Sequence, residues 1–463
     1  MTERRRQHKP PNLALGELLL SSGISREGLA RRVNVLSRQA GSARSYTHTG
    51  VSNWIDRGMV PRPPVPALIA AALGEQLGRP VTLDEIGMGT LRENWEDMGL
   101  DFPRDPDDAL RLSYEYWSTM LDRRTLLAAG GPLAIAAYHT PVRRWLAKPA
   151  DYPTEQKTGG QVGRADLDDL WRAAEEARRW DSKYGGGNVR ASSVTDVLQH
   201  RAAPLLRGTY THAIGAELFT ATSELARIAA WAAVDMGHHS LAQQHFIQAL
   251  RLARSAGDIQ AGSYVLATMS LHAYLQGHVS EAIDMAEGAY EQGRHHAAPR
   301  VLAFAKLAEA RAHGKARDAR SAGRALATAE QLLSSIRPGT HDPAEISYLT
   351  HARISTDAVE ICRDLGDLKS ALRWSSQADA MPVGVYTRAV GIRLAILSSA
   401  HIKAGELDQG LVLGERAVSI LSQVQSTRAR DYVRQVNDSL QPWRREERVR
   451  DFVHRSTATL VSA

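Results

Sequence analysis

Four short amphipathic segments open the chain. Leu13–Leu20 is leucine-rich and ends at Ser21-Ser22-Gly23. Ser25–Val33 follows, with Ser25 at an N-cap position and Leu29, Ala30 and Val33 on one helical face. In Thr49–Gly58, Val51, Trp54 and Ile55 recur at i, i+3 and i+4, which predicts a buried stripe with Trp54 as a core anchor. Thr49, Ser52, Asn53 and Asp56 or Arg57 face elsewhere, and Gly58 stops the helix. A helix over Pro66–Leu77 closes this small core through Leu68, Ile69, Leu73 and Leu77.

Beyond residue 166 the pattern is helical throughout. Asp166–Tyr184 places Leu167, Leu170, Trp171, Ala174 and Ala177 near helical spacing, and Gly185-Gly186-Gly187 ends it. A glycine then recurs with a small residue five positions later: Gly237 and Ala242, Gly277 and Ala282, Gly314 and Ala319, Gly366 and Ala371, Gly405 and Gly410. Twelve positions after each glycine stand Ala249, Ala289, Leu326, Ala378 and Ala417. Such a glycine suits the tight turn between two antiparallel helices, where positive φ is needed. The small residue at the fifth position lets the helices approach, and the one at the twelfth packs on the next pair. Helix pairs of this kind cannot bury their apolar faces alone, so they are expected to stack. The fold expected is all-α.

Two segments interrupt the helical pattern. Asp84–Asp108 is acidic, broken by Pro103 and Pro106, and reads as a solvated boundary. Lys148–Gly163 is a loop rich in Pro, Gly and Thr. The expected division is a basic tail at 1–12, a helical module at 13–88, an acidic linker and connecting helical segment at 89–163, a helical body at 164–440 and a C-terminal tail at 441–463.

Charge sharpens this division. Met1–Val65 holds eleven Lys/Arg (Arg4, Arg5, Arg6, Lys9, Arg26, Arg31, Arg32, Arg38, Arg44, Arg57, Arg62) against Glu3, Glu17, Glu27 and Asp56, a net +7, while all 463 residues sum to +6. A basic head on a near-neutral body suits a polyanionic partner. Cys362 is the only cysteine, in the apolar run Val359-Glu360-Ile361-Cys362; no intrachain disulfide can form, which fits a reducing cytoplasm. No apolar run is long enough for a membrane span. Asp122-Arg123-Arg124-Thr125-Leu126-Leu127 has the look of a twin-arginine export signal, but it lies inside the chain and reads as a helix start or packing segment.

The opening module resembles the lambda-repressor-type (Cro/C1, XRE) helix-turn-helix over Leu13–Met88. The family's second helix reads S-x-E-x-L-A-x-x, matched by Ser25–Arg32. Its recognition helix reads T-V-S-x-W-x-x-G, and Gly50-Val51-Ser52-Asn53-Trp54-Ile55-Asp56-Arg57-Gly58 is closely similar, sharing Val51-Ser52-x-Trp54 with the closing Gly one position later. The connection departs from the family. Asn34–His48 intervenes where a few residues would serve, so either the second helix runs on through Arg38 or an arm is inserted. The resemblance implies binding to double-stranded DNA. Thr49, Ser52 and Asn53 would then meet bases or sugar-phosphate, and Asn53 could pair bidentately with adenine. Arg31, Arg32, Arg38, Arg44 and Arg57 would meet phosphates or guanine, with Ser45, Tyr46 and Thr47 on the same connection. The tail Arg4-Arg5-Arg6-Gln7-His8-Lys9 would follow the backbone or minor groove, or stay solvated.

The body resembles tetratricopeptide repeats over about residues 210–430, with its best copy at Glu224–Asp258: Trp231, Gly237, Ala242, Phe246 and Ala249. The two resemblances together look like actinobacterial transcriptional regulators with an N-terminal helix-turn-helix and a C-terminal helical-repeat body. They imply a cytoplasmic homodimer in signalling or secondary metabolism whose body senses a peptide or small molecule. The alternative is an interaction scaffold without regulated DNA binding, whose basic head grips an acidic protein. No enzyme, cofactor or metal is expected. There is no G-x-x-x-x-G-K-[ST] phosphate loop, no H-E-x-x-H and no C-x-x-C, and the pairs His238-His239 and His295-His296 lack carboxylates at ligand spacing.

Overall fold

The computed structural model describes residues 11–39, 45–61, 65–77, 81, 83, 85–88, 99–119, 132–147, 160–187, 189–337, 339, 342–376 and 386–462. The chain is all-α; among the described residues no strand forms, and Gln161 and Thr209 make an isolated bridge. It divides into two units, Met1–Met98 with Thr119–Gly130, and Gly99–Ser118 with Gly131–Ala463.

In the first unit, α1 (Leu13–Ser22), α2 (Arg26–Gln39), α3 (His48–Asp56) and α4 (Val65–Leu77) surround one core. Leu15, Leu29, Val33, Val51, Ile69 and Leu73 are fully buried in it, and Trp54 nearly so. Gly23 ends α1 in the left-handed region at φ 67°. Ser25 caps α2, its Oγ accepting from the Gly28 N–H at 3.0 Å. α2 runs through Arg38 to Gln39, as one of the two expected forms of the connection requires, and residues 40–44 lie outside the described residues. Asn12 closes the unit. Its Oδ1 accepts from the Leu15 N–H at 3.1 Å, its Nδ2 donates to the Ile86 carbonyl at 2.9 Å, and its own N–H donates to the Ile55 carbonyl at 2.8 Å.

The second unit begins with α5 (Pro106–Thr119), α6 (Ala136–Ala147), α7 (Arg164–Tyr184) and α8 (Val189–Val197), followed by a π turn at Leu198–Ala202 and α9 (Ala203–Leu206). A regular run follows: α10 (His212–Met236), α11 (His239–Ser255), α12 (Ile259–Leu275), α13 (Val279–Gly293), α14 (Pro299–Lys315), α15 (Ala319–Ser334), α16 (His351–Leu365), α17 (Leu368–Ser375), α18 (Thr387–Lys403), α19 (Leu407–Leu421), α20 (Thr427–Ser439) and α21 (Glu447–Ser462). From α11 to α15 a helix begins every 20 residues, and the same spacing returns from α18 to α21. Segment 441–463, expected as a tail, instead folds largely into α21, which buries Val449 and Phe452.

Each odd-numbered helix from α11 to α19 packs on the even-numbered helix before it. The even-numbered helices also touch in sequence, α10 to α12, α14, α16, α18 and α20, and α20 returns to α10. That closed circuit buries α10, α12, α14, α16 and α18 on nearly every face. Among its buried ion pairs, Arg388 reaches Asp181 at 2.6 and 2.8 Å and Asp235 at 2.9 Å, and Arg428 reaches Asp235 at 3.0 Å.

The turn glycines fall where the sequence puts them in four pairs: Gly237, Gly277, Gly366 and Gly405 all have φ between 81° and 87°. The fifth, Gly314, does not. It lies within α14, where an added Cβ would stand 3.1 Å from Ile361 Cγ2. The left-handed turn residue of that pair is Arg317, at φ 64°. The register therefore moves by three. The small residues five and twelve positions on are Ala322 and Ala329, both fully buried, and not Ala319 and Leu326. Counted this way, the turn-to-turn steps are 40, 40, 49 and 39 residues. A side-chain bond shows why the fifth position must be small: Ser270 Oγ donates to the Ala282 carbonyl at 2.6 Å, and Ser398 Oγ to the Gly410 carbonyl at 2.7 Å.

Candidate nucleic-acid interface

α3 has two unlike faces. Val51, Trp54 and Ile55 turn into the core, while His48, Thr49, Asp56 and Arg57 are exposed and Ser52 and Asn53 are half-buried. Thr47 precedes the helix in extended conformation and its side chain makes no capping bond. The first N–H groups of α3 therefore lack a side-chain cap, and the helix dipole adds positive potential at the same end.

The approach to α3 is fixed from α2. Asn34 Nδ2 donates to the Tyr46 carbonyl at 2.7 Å, and the Tyr46 N–H donates back to Asn34 Oδ1 at 2.6 Å. The Tyr46 ring lies 5.7 Å from the Trp54 ring. Tyr46 is thus held as a support for α3, while Ser45 and Thr47 beside it are exposed. Arg26 braces the other end of the helix. Its guanidinium makes two bonds to the Asp56 carboxylate and one to Ser52 Oγ. The bond from Arg26 holds the Asp56 carboxyl below its ordinary range.

The expected arginines do not form one cluster. Arg31 and Arg32 line a groove of about 470 Å³ between α2 and α4, with Ile24, Gly28, Val35 and Glu75 among its walls. Arg32 is paired there with Glu75, whose carboxyl the arginine holds below the ordinary range. Arg31 is exposed, 3.7 Å from Glu27. Arg57 is exposed at the end of α3. Arg38 lies on α2, but its side chain falls outside the described residues, as do Arg44 and the tail Arg4, Arg5, Arg6 and Lys9. Thr49, Ser52 and Asn53 come together on α3, with Ser45, Tyr46 and Thr47 leading into it.

Sequence reasoning missed Arg26, Asn34 and His48. Arg26 and Asn34 act across 30 and 12 residues, so no local spacing marks them. His48 opens α3 one residue before the expected start. In the body, Glu287, Glu309 and His313 converge, and Glu309 is bonded to Lys306 at 2.7 Å. Cys362 is buried in α16, and burial pushes its thiol up to about 11.

Residues 15–89 match the family described as the SP15 N-terminal domain. No curated protein matches the chain. Among the described residues no helix is long and apolar enough to cross a membrane.

Proposed function

We propose that the protein is a cytoplasmic, sequence-specific DNA-binding transcriptional regulator and not an enzyme. In this reading the first unit is a helix-turn-helix of the lambda-repressor type, with α3 as its recognition helix. The observation that carries the reading is the division of α3 itself: one face is locked into the core, and the other offers Thr49, Ser52 and Asn53 beside an uncapped N-terminus. Short polar side chains on that face suit base edges in the major groove, and Asn53 supplies the donor and acceptor that adenine requires. The net +7 of Met1–Val65 supplies the phosphate attraction that any such docking needs.

The body, in this reading, is a solenoid of tetratricopeptide-like pairs that dimerises and senses a peptide or small molecule. A signal acts there only by favouring one arrangement of two DNA-binding units over another. The resemblance to actinobacterial regulators supports that role. The reading is tested by selecting bound sequences from a random duplex pool with the full chain. Enrichment of one motif, and its loss in Asn53→Ala, is expected. Recovery of an unenriched pool at low salt overturns the proposal and leaves the interaction scaffold.

A further inference from the structure

Most buried arginines in this body are matched by carboxylates. Arg388 has Asp181 and Asp235, Arg227 has Glu224, and Arg311 has Glu360. Arg251, on α11, breaks that rule. It is 1% exposed, and among the described residues no carboxylate pairs with it. Its Nη1 donates to Gln248 Oε1 at 2.7 Å, while Nε and Nη2 have no partner among the described residues. Gln248 has little left to offer, because Oε1 also accepts from Ser113 Oγ at 3.0 Å and Nε2 donates to the Gly99 carbonyl at 2.8 Å.

The surroundings are short of acceptors. Among the described residues Trp117 Nε1 on α5 is a buried donor without a partner, and His245 Nδ1 on α11, donor or acceptor according to its tautomer, has none either. Tyr116 stands between these helices, edge-on to the His245 ring at 5.7 Å. Burial pushes Arg251 down to about 9, against Asp101 and Tyr116, which favour its charged form. At neutral pH the guanidinium is therefore still charged, and a buried unpaired charge is strongly unfavourable.

The geometry of the free atoms is specific. Nε and Nη2 share one edge of the guanidinium, and two parallel N–H groups on that edge match two oxygens of a carboxylate or phosphate. We propose that this edge of Arg251, where α5 and residues 99–102 cover α11, binds one small oxyanion. The bound oxyanion supplies the missing negative charge and fastens α5 to α11.

The test is thermal unfolding of the full chain and of Arg251→Met in oxyanion-free buffer, then with acetate, phosphate or chloride at matched ionic strength. In oxyanion-free buffer Arg251→Met is expected to unfold no earlier than the wild type, because it removes an uncompensated charge. Acetate or phosphate should raise the wild-type Tm in proportion to the logarithm of its concentration and leave Arg251→Met behind. The better of the two separates a carboxylate ligand from a phosphate ligand. Arg251→Lys keeps the charge without the fork and should lose most of the gain; it also serves if Arg251→Met does not fold. Equal oxyanion responses in wild type and variants overturn the proposal. So does a wild-type gain from chloride as large as from the oxyanions. A loss of stability in Asp101→Asn equal to that in Arg251→Met, with no oxyanion response, also overturns it and makes Asp101 the partner.

Discussion

Arg26 grips Asp56 through two hydrogen bonds, Nη1 to Oδ2 at 2.6 Å and Nη2 to Oδ1 at 2.8 Å, and the same Nη1 donates to Ser52 Oγ at 3.0 Å. One guanidinium on α2 thereby neutralises the acid on the exposed side of α3 and orients a polar neighbour of Asn53. Both partners are substantially exposed, so solvent screens the pair and it contributes little to stability. Arg26→Ala should leave the unfolding midpoint almost unchanged. It should weaken duplex binding, because Asp56 would then face phosphate uncompensated. Asp56→Asn in the Arg26→Ala background should restore part of the affinity. Fluorescence anisotropy at two salt concentrations measures both, and an Arg26→Ala protein with wild-type affinity would count against the placement of α3 at the DNA.

Asn12 has a different kind of importance, since it joins the start of α1, the end of α3 and the Ile86–Gly87 segment. Asn12→Ala removes an N-cap and a long-range bond together, and is expected to destabilise the first unit by about 1–3 kcal/mol. Urea unfolding followed by tryptophan fluorescence reads this through the part of the signal that Trp54→Phe removes, since Trp54 lies in that core and is one of nine tryptophans.

The corrected turn register makes a sharp contrast between neighbours. Ala322 is fully buried where α15 meets α14, and Ala319 is exposed. Ala322→Leu should overpack the contact and destabilise by about 1–3 kcal/mol. Ala319→Leu should fall within about 0.5 kcal/mol of the wild type. Arg317→Gly relieves the left-handed strain but enlarges the freedom of the unfolded chain, so its net gain should be about 1 kcal/mol or less. Calorimetric midpoints of the three variants test the register. Equal losses at 319 and 322 would contradict it.

The fold class was legible because helical periodicity is a local signal, and the buried stripe of Val51, Trp54 and Ile55 lay where spacing put it. The third turn was misread for a physical reason. Glycine is the usual left-handed residue, and Gly314 stood close enough to draw the assignment, but there glycine serves a helix contact with Ile361 while Arg317 adopts the turn. The candidate interface was half legible. Ser52 and Asn53 follow from the helix pattern, whereas Arg32 reads as a free cation until Glu75 of α4 is brought beside it. Tertiary partners of this kind leave no trace in spacing along the chain.

Asp235 offers the last prediction, because it joins α10 to α18 and α20 from a fully buried position. Burial alone would raise its carboxyl, but Arg388 and Arg428 outweigh that effect and hold it below the ordinary range. A carboxyl depressed in the folded state contributes stability that is complete above its unfolded value, roughly 4, and disappears as pH falls through the folded one. The body should therefore hold its stability from neutral pH down to about 4 as far as this group is concerned, and lose it below. Asp235→Asn leaves Arg428 without its carboxylate, and Arg388 with Asp181 alone. It is expected to cost about 3–5 kcal/mol at pH 7. The penalty should shrink as pH drops below 4, where the wild type also loses the charge. Thermal unfolding of both proteins from pH 7 to pH 3 measures the convergence; a pH-independent gap would mean that Asp235 acts through its shape and hydrogen bonds, such as the one from the Gly186 N–H at 3.0 Å, and not through its charge.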